Sequence, residues 1–127
     1  MNMVVAQNQA MTALIGAPSV IYTDPIELGD NDRATVMWMI HYLWAWDSGG
    51  GAANALASYE TEVSNNAMNW VPIGAAGNDS SNAALPNPLP NTFAANGQFI
   101  RFKLTLNITL GTLAGVAFDL HVKFDHI

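Results

Sequence analysis

The stretch IRFKLTLNITL, Ile100 to Leu110, decides the fold. Phe102, Leu104, Leu106, Ile108 and Leu110 are apolar and alternate with Arg101, Lys103, Thr105, Asn107 and Thr109. A period of two puts successive side chains on opposite faces of an extended chain, so the stretch reads as a strand with one dry and one wet face. The last segment repeats the pattern: Val116, Phe118, Leu120, Val122 and Phe124 alternate with Ala117, Asp119, His121, Lys123 and Asp125. A slip of one residue would exchange the buried and exposed sets, so register is strongly specified. Two such walls predict an all-β, antiparallel β-sandwich of about eight strands. If the two strands are neighbours in one sheet, Arg101 and Lys103 come to lie beside Asp119 and Asp125 on a solvated face. The expected inward set includes Trp38, Ile40, Phe102, Leu104, Leu106, Phe118, Leu120 and Val122.

Upstream of these strands the patterning is more varied. ATVMWMIHYLWAW, Ala34 to Trp46, places Val36, Trp38, Ile40, Tyr42 and Trp44 on one strand face and Met37, Met39, His41 and Leu43 on the other. Both faces are apolar, which predicts a strand covered on both sides. Alternation returns from Leu56 to Ser64, with Ala57, Tyr59, Thr61 and Val63 sharing a face. SNNAMNW reads as a turn, and WVPIG as a short strand that Pro72 assigns to an edge. Residues 1–18 show no firm period and read as an N-terminal arm, which leaves residues 19–127 as the sandwich domain. The segment 75–96, with its three prolines, reads as a long loop, extended through LPNPLP. Loops of that length inside a compact domain are usually functional.

Composition narrows the function. The 127 residues make one domain; half are hydrophobic and only 11% are charged. That charge fraction is below the usual quarter, as expected of a surface that is partly hidden against partners. The formal charge of −6, with only Arg33, Arg101, Lys103 and Lys123 as basic residues, argues against nucleic-acid binding. The absence of cysteine removes disulfides, thiolate chemistry and Cys-based zinc sites. The longest apolar run, Ala34 to Trp46, is shorter than a membrane span and is interrupted by His41, so no membrane partner is expected. MNMVVAQNQAM lacks the basic start of a signal peptide, and synthesis in the cytoplasm is the expectation.

No catalytic, metal or cofactor constellation emerges. His121 and His126 are five apart on an extended segment and point to opposite faces, and His41 lies in an apolar strand, so zinc is not expected. GDNDR, Gly29 to Arg33, is oxygen-rich, with Asp30 and Asp32, but lacks the spaced ligands and terminal Glu of an EF-hand. It reads as a polar turn, with calcium as the alternative. Glu60 and Glu62 share one strand face, whereas glycosidase carboxylates flank a cleft. Asn78 and Asn107 match the glycosylation pattern, but no signal peptide accompanies them. No serine has a nucleophile-elbow context. Trp38 and Trp44 share parity with the core and are assigned to the core or to a subunit contact, which leaves Trp46, beside the glycine-rich loop, as the candidate platform for stacking on a sugar ring. The six methionines suit irregular packing and adaptable interfaces.

Three segments carry a family likeness. YETEVSNNAMNWVPIG, Tyr59 to Gly74, resembles the strand–turn–strand signature of small jelly-roll modules, in which Ser-Asn-x-x-x-x-Trp forms a hairpin. GQFIRFKLTLN and GVAFDLHVKFDHI look like the long strands that follow it. Over roughly residues 25–127 the chain resembles small jelly-roll proteins of tailed-phage particles, of the capsid decoration (cement) type or from the tail. It resembles discoidin-like carbohydrate-binding modules less, because their Arg-bearing binding loop has no counterpart here. The resemblance implies a non-enzymatic virion protein stabilising the outer capsid surface, with a carbohydrate-binding module or a tail or fibre component as alternatives. It implies a homo-oligomer, trimer favoured, seated on a lattice of major capsid protein. The expected contact residues are Met3, Val4 and Leu14 in the arm, and Leu85, Leu89 and Phe93 in the loop.

Overall fold

The computed structural model describes residues 2–83 and 90–126. These residues form nine strands and no helix: β1 (Asn2–Leu14), β2 (Ser19–Tyr22), β3 (Ile26–Glu27), β4 (Arg33–Trp46), β5 (Asn54–Ser64), β6 (Val71–Ser80), β7 (Asn91–Ala94), β8 (Phe99–Leu110) and β9 (Leu113–Asp125). They build two antiparallel sheets. Sheet one runs β1-β9-β4-β7, and sheet two runs β2-β8-β5-β6 with β3 also paired to β8. The chain passes repeatedly between the layers, and its first and last strands end as neighbours. This is the jelly-roll arrangement of a β-sandwich.

Alternation builds the core as the sequence implies. Ile100, Phe102, Leu104, Leu106 and Ile108 of β8 face Val116, Phe118, Leu120, Val122 and Phe124 of β9, and all ten are buried. β8 and β9 lie in opposite sheets, each at a central position. The ion pairs expected between them are therefore replaced. Arg101 Nε donates to Glu62 Oε1 at 2.8 Å, and Lys103 lies opposite Glu60 on β5. Local alternation specifies a strand's faces but not its partner.

Aromatic side chains bridge the layers. Trp38 of sheet one packs on Phe118 at 4.5 Å and on Tyr59 of sheet two at 5.4 Å between ring centroids. Its indole Nε1 donates to Asp79 Oδ2 at 2.9 Å, satisfying the one polar atom of a half-buried ring. Tyr59 lies against Gly77 on the adjacent strand, where any side chain would overlap its ring.

Two segment boundaries differ from the sequence reading. Residues 2–14, within the expected N-terminal arm, form the edge strand β1, paired with β9 along its length. Its period is hidden by two irregularities, between Val4 and Ala6 and between Ala6 and Gln9, with Asn8 at a positive φ of 47°. The expected loop 75–96 is shorter, because β6 continues to Ser80 and β7 begins at Asn91. Small, weakly β-forming residues such as Ala75, Ala76 and Gly77 are held extended by their ladder to β5.

Candidate functional site

The outer faces of the two sheets differ in chemistry. Sheet two turns Ser58, Glu60 and Glu62 of β5 and Arg101, Lys103 and Thr105 of β8 outward, a polar surface bordered by the exposed Val20 and Tyr22 of β2. Arg101 is held there between the rings of Tyr22 and Trp70, 4.2 and 4.3 Å from their centroids. This stacked guanidinium, absent from the sequence reading, joins three segments that no local pattern connects.

Sheet one carries Thr35, His41, Asp119, His121, Lys123 and Asp125 outside over much of its length but is apolar outside at one end. The cause is a β-bulge in β4. Ile40 pairs with Phe118, but Tyr42 pairs with Ala117, so His41 is an extra residue. Before it, Ala34, Val36, Trp38 and Ile40 face inward. After it, the parity is reset, and Leu43 and Ala45 pack against the core instead. Tyr42, Trp44 and Trp46 consequently point to solvent, 52%, 38% and 54% exposed. The assignment of Trp44 to the core is thereby corrected, and Tyr42 moves with it. Neither change was visible in a strand whose two faces are both apolar.

These aromatics form a row along the last residues of β4, at one end of the sheet. Beneath them β9 offers Leu113, Gly115 and Ala117, and β1 continues the surface with Ala10, Thr12 and exposed Leu14. The Trp44 indole lies flat on Gly115: a Cβ there would come within 2.6 Å of three ring atoms. A ring resting on bare backbone makes a preformed aromatic surface.

At the other end of the same face is a shallow pocket of about 320 Å³, lined by Met3, Val4, Thr35, Met37, His121, Val122 and Lys123. Between the two ends sits Asp119. Its carboxylate accepts the backbone N–H of Asn8 at 2.6 Å and lies 3.2 Å from His41 Nε2. One side chain of β9 thus ties down irregularities in both flanking strands. The Asn8 hydrogen bond, assisted by His41 and His121 and opposed by partial burial, holds the Asp119 carboxyl below its ordinary value.

The sequence-derived contact residues fall in different places. Val4 and Leu14 are exposed, whereas Met3 and Phe93 pack against the chain's own core. Leu85 and Leu89 lie outside the described residues. Trp46 is exposed beside the Asp47–Gly51 turn, where the Asp47 carboxylate accepts Gly51 N at 2.9 Å. The Asp30–Asp32 turn is closed by Asn31 N donating to Leu28 O, and Asp32 lies 3.7 Å from His126. Among the described residues, no three His, Cys, Asp or Glu side chains converge as a metal site would require.

What fold and face define is a jelly-roll module with one sheet surface that is apolar at one end. A chain in the solved structure of infectious bursal disease virus, Gx strain, superposes on it with a TM-score of 0.56 at 7% identity. The match covers 96% of this chain and 32% of that one, so this chain spans about a third of the length of the solved chain. A chain in the structure of the Gt strain gives 0.48 at 9% identity, covering 96% and 30%. The likeness is one of fold. No known family matches the sequence, and none of the curated proteins does.

Proposed function

We propose that this chain is a structural subunit of a virus particle, and specifically a capsid decoration subunit of the tailed-phage kind. It would be seated as a homo-oligomer on the outer surface of a major capsid protein lattice. The observation that carries the reading is the exposed apolar patch of Tyr42, Trp44, Trp46 and Leu14 at one end of sheet one. A contiguous exposed patch of this sort marks an interaction site. The jelly roll shared with a chain of a virus structure supports the choice of a particle. The formal charge of −6 suits a position outside the shell, away from packaged nucleic acid. The role is one of contact rather than catalysis. Immunogold electron microscopy of the native source, with antibodies to this chain, tests it: label should decorate particle surfaces. Label confined to soluble material would refute it.

The row of Tyr42, Trp44 and Trp46 also favours a second reading, a carbohydrate-binding module. Flat exposed rings are what a sugar stacks on. A glycan array with reproducible hits, lost in Trp46→Ala, would support that reading over the first.

A further inference from the structure

We propose that the outer face of sheet one is closed by a second copy of this chain, stacked face to face about a two-fold axis that crosses the strands at the level of Asp119. The proposal rests on the assembly reading above and names the surface and partner it uses.

The argument begins with the placement of two unlike features on one face. The aromatic row lies at one end, on Tyr42, Trp44 and Trp46. The pocket lies at the other, around Val4, Met37 and His121. An in-plane two-fold axis perpendicular to the strands reverses strand direction while keeping β4 over β4 and β9 over β9. Each aromatic row then meets the partner copy's pocket, and the contact is made twice. Such an isologous contact closes on itself without leading to a fibre.

Charge fits the same arrangement. The pocket rim carries the Lys123 ammonium, 57% exposed and only loosely paired with Asp125 at 3.8 Å, and the row presents the π-faces of two indoles and a phenol ring. Reversal brings cation to ring, a favourable pairing. β9's outer face carries two acids: Asp119, at the axis, is largely withdrawn into its contacts with Asn8 N and His41, and Asp125 lies 3.8 Å from Lys123 at the far end.

The area is sufficient. β4 has 14 residues. At about 3.3 Å per residue and about 4.8 Å between strands, the β1-β9-β4 face has a footprint of roughly 600 Å² before side-chain relief. Specific interfaces bury about 600 Å² or more on each partner, so this face reaches the lower bound when it is covered along its whole length. Trp44, seated on Gly115, is an aromatic side chain of the kind that interface hot spots favour.

The test uses the purified full chain. Sedimentation equilibrium should give a dimer. Trp44→Ser, an exposed position, should leave the circular dichroism unchanged and weaken association about thirty-fold or more, as loss of a binding hot spot does. Because the chain has no cysteine, a single Met39→Cys variant reports the axis directly. Stacked sheets lie about 10 Å apart, beyond disulfide reach, so a short bis-maleimide is the probe. It should link Met39→Cys chains in pairs and leave Ser58→Cys chains, on sheet two, unlinked. A monomer at high concentration, a trimer in which Met39→Cys is not linked, or a dimer indifferent to Trp44→Ser would each overturn the proposal. A glycan that binds the monomer and shields Trp44 would do so too. A dimer of this geometry in a chain absent from every particle would sink the virion reading and leave this one standing.

Discussion

Gly77→Ala and Gly115→Ala add the same methyl group beneath an aromatic ring, and the structure assigns them different costs. Neither glycine has a positive φ, so alanine is conformationally allowed at both and gains roughly 0.4–1 kcal/mol by restricting the unfolded chain. At Gly77 the new Cβ overlaps the Tyr59 ring. That ring is 4% exposed and cannot retreat. It is bounded by Trp38 and Phe102, and its hydroxyl accepts from Asn91 Nδ2 at 3.3 Å. Overpacking of a closed site costs about 1–3 kcal/mol, so the net loss should be about 1–2 kcal/mol. At Gly115 the Cβ meets Trp44, whose outer side is open to solvent. The indole can swing away. Its lost contact with the backbone should roughly cancel the alanine gain, leaving a net change below about 0.5 kcal/mol. Urea unfolding at a chain concentration low enough to keep the protein monomeric, with midpoint and slope fitted together, separates the two outcomes. Fluorine NMR of fluorotryptophan-labelled protein should show one resonance moving in Gly115→Ala. If Gly115→Ala costs as much as Gly77→Ala, Trp44 is not free to leave, and the reasoning about an open aromatic face fails.

Three further substitutions probe other parts of the structure. Thr61 is fully buried and its hydroxyl makes no hydrogen bond among the described residues, so Thr61→Val should stabilise by about 1 kcal/mol in denaturant unfolding; a loss would mean that the hydroxyl has a partner. Arg101→Ala removes the guanidinium from between Tyr22 and Trp70 and from Glu62, and should cost about 1–2 kcal/mol, with Arg101→Lys recovering little. Asp119 has a lowered pKa, so its contribution is present above the ordinary carboxyl value of 3.8 and is lost as pH falls through the lower folded value. Asp119→Asn should therefore flatten the stability–pH curve in that acid range, and an unchanged curve would show that Asp119 does not hold the two bulges.

The strands that sequence reads well are those whose two faces differ in polarity. In β8 and β9 each inward residue is apolar and most outward ones are polar, so Phe102 and Phe118 are assignable by inspection, and both are buried. The same logic places Ala57, Tyr59, Thr61 and Val63 inside. It fails where the contrast vanishes. β1 carries two irregularities within 13 residues, so no single period describes it. β4 is apolar on both faces up to and beyond His41, and a parity reset leaves no trace in such a pattern. Tyr42 and Trp44 were misplaced for that reason. Trp38 and Ile40, before the bulge, were not. The role of Asp119 was equally hidden: its partners Asn8 and His41 lie on two different strands, joined only by the ladder.

The bulge at His41 has a reason in the volume of the core. Around the aromatic row alanines alternate with larger inward residues: Ala13 on β1, Ala45 on β4, Ala114 on β9, and Ala55 and Ala57 on β5 lie among Met11, Leu43 and Val116. Farther along the same sandwich the inward residues include Phe102, Phe118 and Phe124. A strand without the extra residue would drive Tyr42 and Trp44 inward, toward the end where alanines stand among the inward residues. Overpacking there would cost more than an irregular ladder bond, so the chain inserts a residue and turns the rings outward. The arrangement runs against what burial alone favours, since two of the four tryptophans and a tyrosine are left exposed while alanines take inward positions. Large rings held outside a core too narrow for them, one of them seated on a glycine, form a surface whose apolar area is stabilised only when something covers it.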